Sequence, residues 1–69
     1  MDMKLYEGKQ VYVKLISQRV YSGIINEVTW IGKDNFGVDI WILDMTDKFG
    51  SHLSFSNKEI NLIEEEKQR

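Results

Sequence analysis

Between Gly8 and Gly23, in GKQVYVKLISQRVYSG, Val11, Val13 and Leu15 alternate with Tyr12 and Lys14. A period of two is the signature of a strand with one buried face. Ile16-Ser17-Gln18-Arg19 breaks the alternation and Val20-Tyr21-Ser22 resumes it, which predicts two antiparallel strands, the first over 10–16 and the second from about Arg19. Gly23 falls inside the second strand, where a missing side chain marks a sharp bend or a close backbone approach. Val20, Ile24 and Val28 share one face of that strand and Tyr21, Gly23, Ile25 and Glu27 the other. Apolar residues lie on both, so the strand is expected to bend, each half burying a different side. Gly32-Lys33-Asp34-Asn35 and Gly37 form the next turn.

The most apolar segment, Val38–Met45, is read as the third strand, with Val38, Ile40 and Ile42 on one side and Asp39, Trp41 and Leu43 on the other. Asp44–Gly50 is a hairpin loop, and Ser51–Phe55 a strand turning Leu53 and Phe55 inward. Ser56–Glu59 is a polar turn, Ile60–Ile63 a last strand, and Glu64–Arg69 a charged tail. Residues 1–7 fit either one short helical turn or an extended lead-in. Five short strands without a convincing helix indicate a small all-β barrel or sandwich. The expected core is Val11, Val13, Leu15, Ile24, Ile40, Ile42, Leu53, Phe55, Ile60 and Leu62.

Sixty-nine residues make a single domain, 1–69, with its core in 8–63. One core of that size supplies roughly 3–5 kcal/mol, so domains this small usually carry a disulfide, a metal or a partner. With no cysteine and His52 as the one histidine, disulfides and an ordinary zinc site are excluded. Self-association or unusually good packing remains. Nine basic against eleven acidic side chains give a net charge of −2, without the basic excess of a dedicated nucleic-acid binder. No segment has the length of a signal peptide or membrane span, so a soluble, cytoplasmic chain is expected.

Gly8-Lys9-x-Val11-x-Val13-x-Leu15 followed by Arg19-x-Tyr21-x-Gly23 resembles the first motif of the Sm-like (LSm) family, which closes at Ile40-Trp41-Ile42-Leu43-Asp44. Phe55–Ile63 is similar to the second motif in length and hydrophobic positions. The resemblance implies a strongly bent five-stranded barrel of SH3-like type. It also implies a homo-oligomeric ring in which the fourth strand of one subunit pairs with the fifth of its neighbour, Ser51–Phe55 and Ile60–Ile63 being the paired edges. The implied function is binding of single-stranded RNA; the alternative is an assembly module that keeps the ring and has lost the uridine pocket.

Carried over by position, the family's uridine-reading residues fall on Asn35, Val38 and Asp39, and its Arg-Gly pair on Ser56-Asn57. Val38 has no π-face for a base, and an ionised Asp39 accepts hydrogen bonds without donating. Binding is therefore expected to be weak and poorly selective, through Phe36 or Trp30 as stacking ring and Lys33, Lys48 or Lys58 as rim charge. The plainer reading has Trp30, Phe36 and Trp41 filling core and interface, and the turn lysines solvated. His52 reads as a surface or interface residue. Asp39, Asp44 and Asp47 lack metal-loop spacing and read as turn formers, Asp44 in particular. No nucleophile–base pair or phosphate-binding glycine loop is present, so neither catalysis nor a cofactor is expected.

Overall fold

A computed structural model describes residues 2–67. The chain opens with a 3₁₀ turn, Met3–Tyr6, capped by the Asp2 side chain, which accepts the Lys4 N–H at 2.8 Å. This selects the helical alternative for the N-terminus. The turn places Met3 in the core as a plug.

Five strands follow: β1 (Gln10–Leu15), β2 (Val20–Lys33), β3 (Asp39–Asp47), β4 (His52–Ser56) and β5 (Ile60–Glu65). They form one antiparallel sheet in the order β4-β3-β2-β1-β5. A second 3₁₀ turn, Asn57–Glu59, joins β4 to β5. The all-β, five-stranded expectation stands, but the sheet is not closed into a barrel. Strand directions alternate, so β4 and β5 run the same way along it, and pairing them would make a parallel ladder. Parallel partners need a crossover of about a dozen residues or more. Three residues connect these strands, so both outer edges stay open.

The core is Met3, Val11, Val13, Ile25, Val28, Leu43, Met45 and Phe55, with Leu15, Trp41, Leu53, Ile60 and Ile63 among those packed against it. Four expected members are corrected. Ile24 and Leu62 are 45% and 41% exposed, and Ile40 and Ile42 are only half-buried, outside the core cluster. In β2 the reason is a bulge: the register with β3 runs Ile25↔Met45, then Glu27↔Asp44, leaving Asn26 as the extra residue. One extra residue swaps the faces. Gly23 and Ile25 point inward before it and Val28 after it, so each half of the strand buries a different side. In β3 the inward set is Leu43 and Met45, fixed by pairing with Val28, Ile25, Phe55 and Leu53. In β5 the register shifts at Lys14/Leu15, and Ile60 and Ile63 face the core.

Gly23 is a close approach. A Cβ there would lie 2.2 Å from the Thr46 carbonyl oxygen and 2.6 Å from Asp47 Cα. Ahead of β1, the main chains of Gly8 and Lys9 still bond Ile25 of β2, and past them Glu7 covers the strand by accepting the Val28 N–H at 2.8 Å. That bond, ahead of an ion pair to Lys4, holds the Glu7 carboxyl below its usual range. The expected charged tail is shorter than read: Glu64 and Glu65 belong to β5, opposite Tyr12 and Val11. Gln68 and Arg69 lie outside the described residues. Among the described residues, no helix is long and apolar enough to cross a membrane.

Candidate functional site

Two connections, β2–β3 and β4–β5, meet at one end of the sheet. The first is built on Asp34, whose Oδ1 accepts the N–H groups of Phe36 (2.8 Å) and Val38 (3.0 Å). Its main chain exchanges bonds with Val38 and Gly37, and Gly37 supplies the positive φ of 78° that the tip requires. The second is a capping box. The Ser56 hydroxyl accepts from Lys58 N–H, and Glu59 Oε2 accepts from Ser56 N–H at 2.8 Å.

Asn57 joins them to β3. The β3–β4 ladder ends at Ile42↔Ser56, where the main chain turns away. The Asn57 amide then takes over, its Oδ1 accepting from Trp41 N–H at 2.9 Å and its Nδ2 donating to the Asp39 carbonyl at 3.0 Å. One side chain thus supplies the donor and acceptor that another strand residue would have provided.

The charges pair across the connections. Lys58 Nζ bonds Asp34 Oδ2, and Lys33 Nζ bonds Asp39 Oδ1 at 2.8 Å. Trp30 Nε1 also donates to Asp39 Oδ1, at 3.1 Å. The Lys58 ammonium, then the Val38 N–H, lower the Asp34 carboxyl to about 2. Lys33 and then the Trp30 N–H lower that of Asp39.

Of the expected site residues, Val38, Asp39 and Asn57 line one cleft of ≈ 320 Å³, closed below by Met3, Ile60 and Ile63. Lys58 is tied down beside it, and the Ser56 hydroxyl serves the cap. Asn35 and Phe36 stand out at the exposed tip, Phe36 at 91% exposure. Trp41 packs on the core with its Nε1 buried and unpartnered among the described residues, while Trp30, directly opposite in register, is half exposed. The polar groups around the cleft are thus largely spent on the chain itself, leaving an apolar floor, while the exposed rings of Trp30 and Phe36 lie outside its lining.

Sequence reading missed Asp34 as the counter-ion of Lys58, although an Asp two and four residues before Phe36 and Val38 is a legible side-chain turn. Asp44 does not shape a turn; it lies within β3 opposite Ser54. Asp47 has that role, accepting the N–H groups of Phe49 (2.9 Å) and Ser51 (2.8 Å). His52 is exposed and its Nδ1 lies 3.1 Å from Thr46 Oγ1, which also accepts from Asn26. Among the described residues, no three His, Cys, Asp or Glu side chains are grouped to hold a metal. No family model, curated protein or solved structure matches this chain.

Proposed function

We propose that this chain is a self-assembly module of Sm-like type, in which β4 of one copy pairs with β5 of the next to build a ring. The observation that carries the reading is the pair of open edges on a sheet that cannot close through its three-residue β4–β5 link. The ladder parity shows what each edge offers. Asp47 N–H bonds the Ser51 carbonyl, so Leu53 and Phe55 face β3 and the main-chain groups of His52 and Ser54 point outward. Likewise Glu66 N–H bonds the Gln10 carbonyl, which turns the main chain of Ile63 and Glu65 outward. Unpaired rows of this kind are templates for another chain. A head-to-tail contact between two different edges closes into a ring when its rotation allows.

Light scattering on the purified chain tests this. A multi-subunit mass is expected at micromolar concentration, and a monomer mass there would sink the proposal. Ser54→Pro removes an outward N–H without touching the bonds to β3, so it should lower the mass while the far-ultraviolet spectrum keeps its β signal.

Weak binding of single-stranded RNA is the second reading, favoured by the exposed Phe36 ring at the tip. It is the lesser one because Lys33 and Lys58, the lysines on the two connections that meet at this end of the sheet, are paired with Asp39 and Asp34.

A further inference from the structure

A second cleft, of ≈ 380 Å³, lies where the β3–β4 hairpin leans over β1 and the start of β2. It is lined by Tyr12, Phe49, Asp47 and Glu66, together with Tyr21, which packs against the core. Phe49 is 82% exposed at the hairpin tip, so its ring is open to a partner. Each carboxylate uses one oxygen. Asp47 Oδ1 holds the hairpin N–H groups, and Glu66 Oε1 accepts from the Ser22 hydroxyl. Neither is ion-paired among the described residues.

The chain itself shows what this surface accepts. Lys48 Nζ sits 5.4 Å from the Phe49 ring centroid, within cation–π range. It occupies one face of a ring that solvent otherwise reaches. Two carboxylates against that single ammonium leave the cleft net negative, which argues against an anionic ligand.

We propose that this cleft is a binding site for an arginine side chain of a partner protein, with Lys48 as its weak intramolecular competitor. A guanidinium fits the inventory better than an ammonium. It stacks flat on a ring while its five N–H donors reach carboxylate oxygens on either side. Its residues lie outside the β4 and β5 ladders, but Lys48 and Glu66 adjoin the strand ends that ring formation would bring together.

The test is an NMR titration of the full chain with the peptide acetyl-Gly-Arg-Gly-amide, against the same peptide carrying neutral citrulline. Saturable shifts should be confined to the amides of Ser22 and of Asp47–Gly50, with citrulline about tenfold weaker. Phe49→Ala should weaken the arginine peptide about threefold. Lys48→Met should tighten it about twofold, because the competitor is gone. Each variant's dispersed spectrum verifies that it is folded. Absence of saturable shifts, equal binding of citrulline, or weaker binding by Lys48→Met would each overturn the assignment.

Discussion

Leu43 and Ile42 are neighbours on β3 with opposite fates, and truncating each to alanine tests the assignment of the core face. Leu43 is 0% exposed, between Val28 and Phe55 in register. Removing a fully buried leucine costs ~2–5 kcal/mol, the lost transfer energy plus the cavity left behind. A domain of this size holds only ~3–5 kcal/mol. Leu43→Ala should therefore consume most of the stability. Ile42 is half-buried on the outer face, opposite Thr29 and Ser56, and has solvent to fill the space it leaves. At ~0.8 kcal/mol per fully buried methylene, a partial burial gives a cost of ~1 kcal/mol. Urea unfolding followed by circular dichroism, at one fixed protein concentration, separates the two. With a slope of ~1 kcal/mol/M for a small domain, Ile42→Ala should move the midpoint by about 1 M. Leu43→Ala should move it several-fold further or abolish the folded baseline. Leu43→Val keeps the comparison measurable if the alanine variant does not fold. Equal midpoints for Ile42→Ala and Leu43→Ala would refute the inward face assigned to β3.

Three further outcomes are expected. Gly23→Ala should lower the thermal midpoint sharply, since its Cβ meets the backbone of Thr46 and Asp47 inside contact distance and the β2–β3 ladder must part; an unchanged midpoint would contradict that approach. The carboxyl of Asp34 is lowered from 3.8 to about 2, so its bonds to Lys58, Val38 and Phe36 are intact above the ordinary value and are lost as pH falls through about 2. Carboxyl NMR should place its midpoint below that of an ordinary aspartate, and a midpoint near 3.8 would mean that the Lys58 contact is not held in solution. U-rich and A-rich oligonucleotides, titrated at two salt concentrations, should bind weakly and about equally, with steep salt dependence and a loss of ~1–3 kcal/mol per stacked base in Phe36→Ala; tight, salt-resistant uridine preference would reverse the order of the two functional readings.

The alternation of Val11, Val13 and Leu15, and the Gly, Asn and Asp clusters between strands, made element type and order readable from the sequence. Facing was harder where apolar residues are adjacent. Ile24-Ile25, Ile42-Leu43 and Leu62-Ile63 each offer a side chain to both faces, so period two cannot choose between them. The choice was made by bulges at Asn26 and at Lys14/Leu15, which no local composition announced. The candidate site divides similarly. Its turn residues were readable because Asp34 and Ser56 act on neighbours two to four positions away. The pairing of Lys58 with Asp34 and the use of Asn57 as a surrogate strand residue depend on bringing distant segments together.

The two open edges are not defended alike, and this bears on how copies would meet. Edge strands are commonly guarded by proline, by charge or by bulges. β5 ends in Glu64 and Glu65, followed by Glu66, and a bulge distorts its ladder with β1. β4, His-Leu-Ser-Phe-Ser, has no formal charge when His52 is neutral, no proline, and a regular ladder to β3. Pairing β5 with β5 would bring two sets of carboxylates to one junction, so charge disfavours it. Pairing β4 with β4 meets no such repulsion, but it yields a two-fold dimer and leaves both β5 edges uncovered. Pairing β4 with β5 covers both kinds of edge. In the antiparallel sense it also brings the acidic end of β5 toward Lys48 and His52 at the start of β4. The mass in solution therefore reports the mode: a dimer is the mark of β4 meeting β4, and a larger closed assembly that of β4 meeting β5.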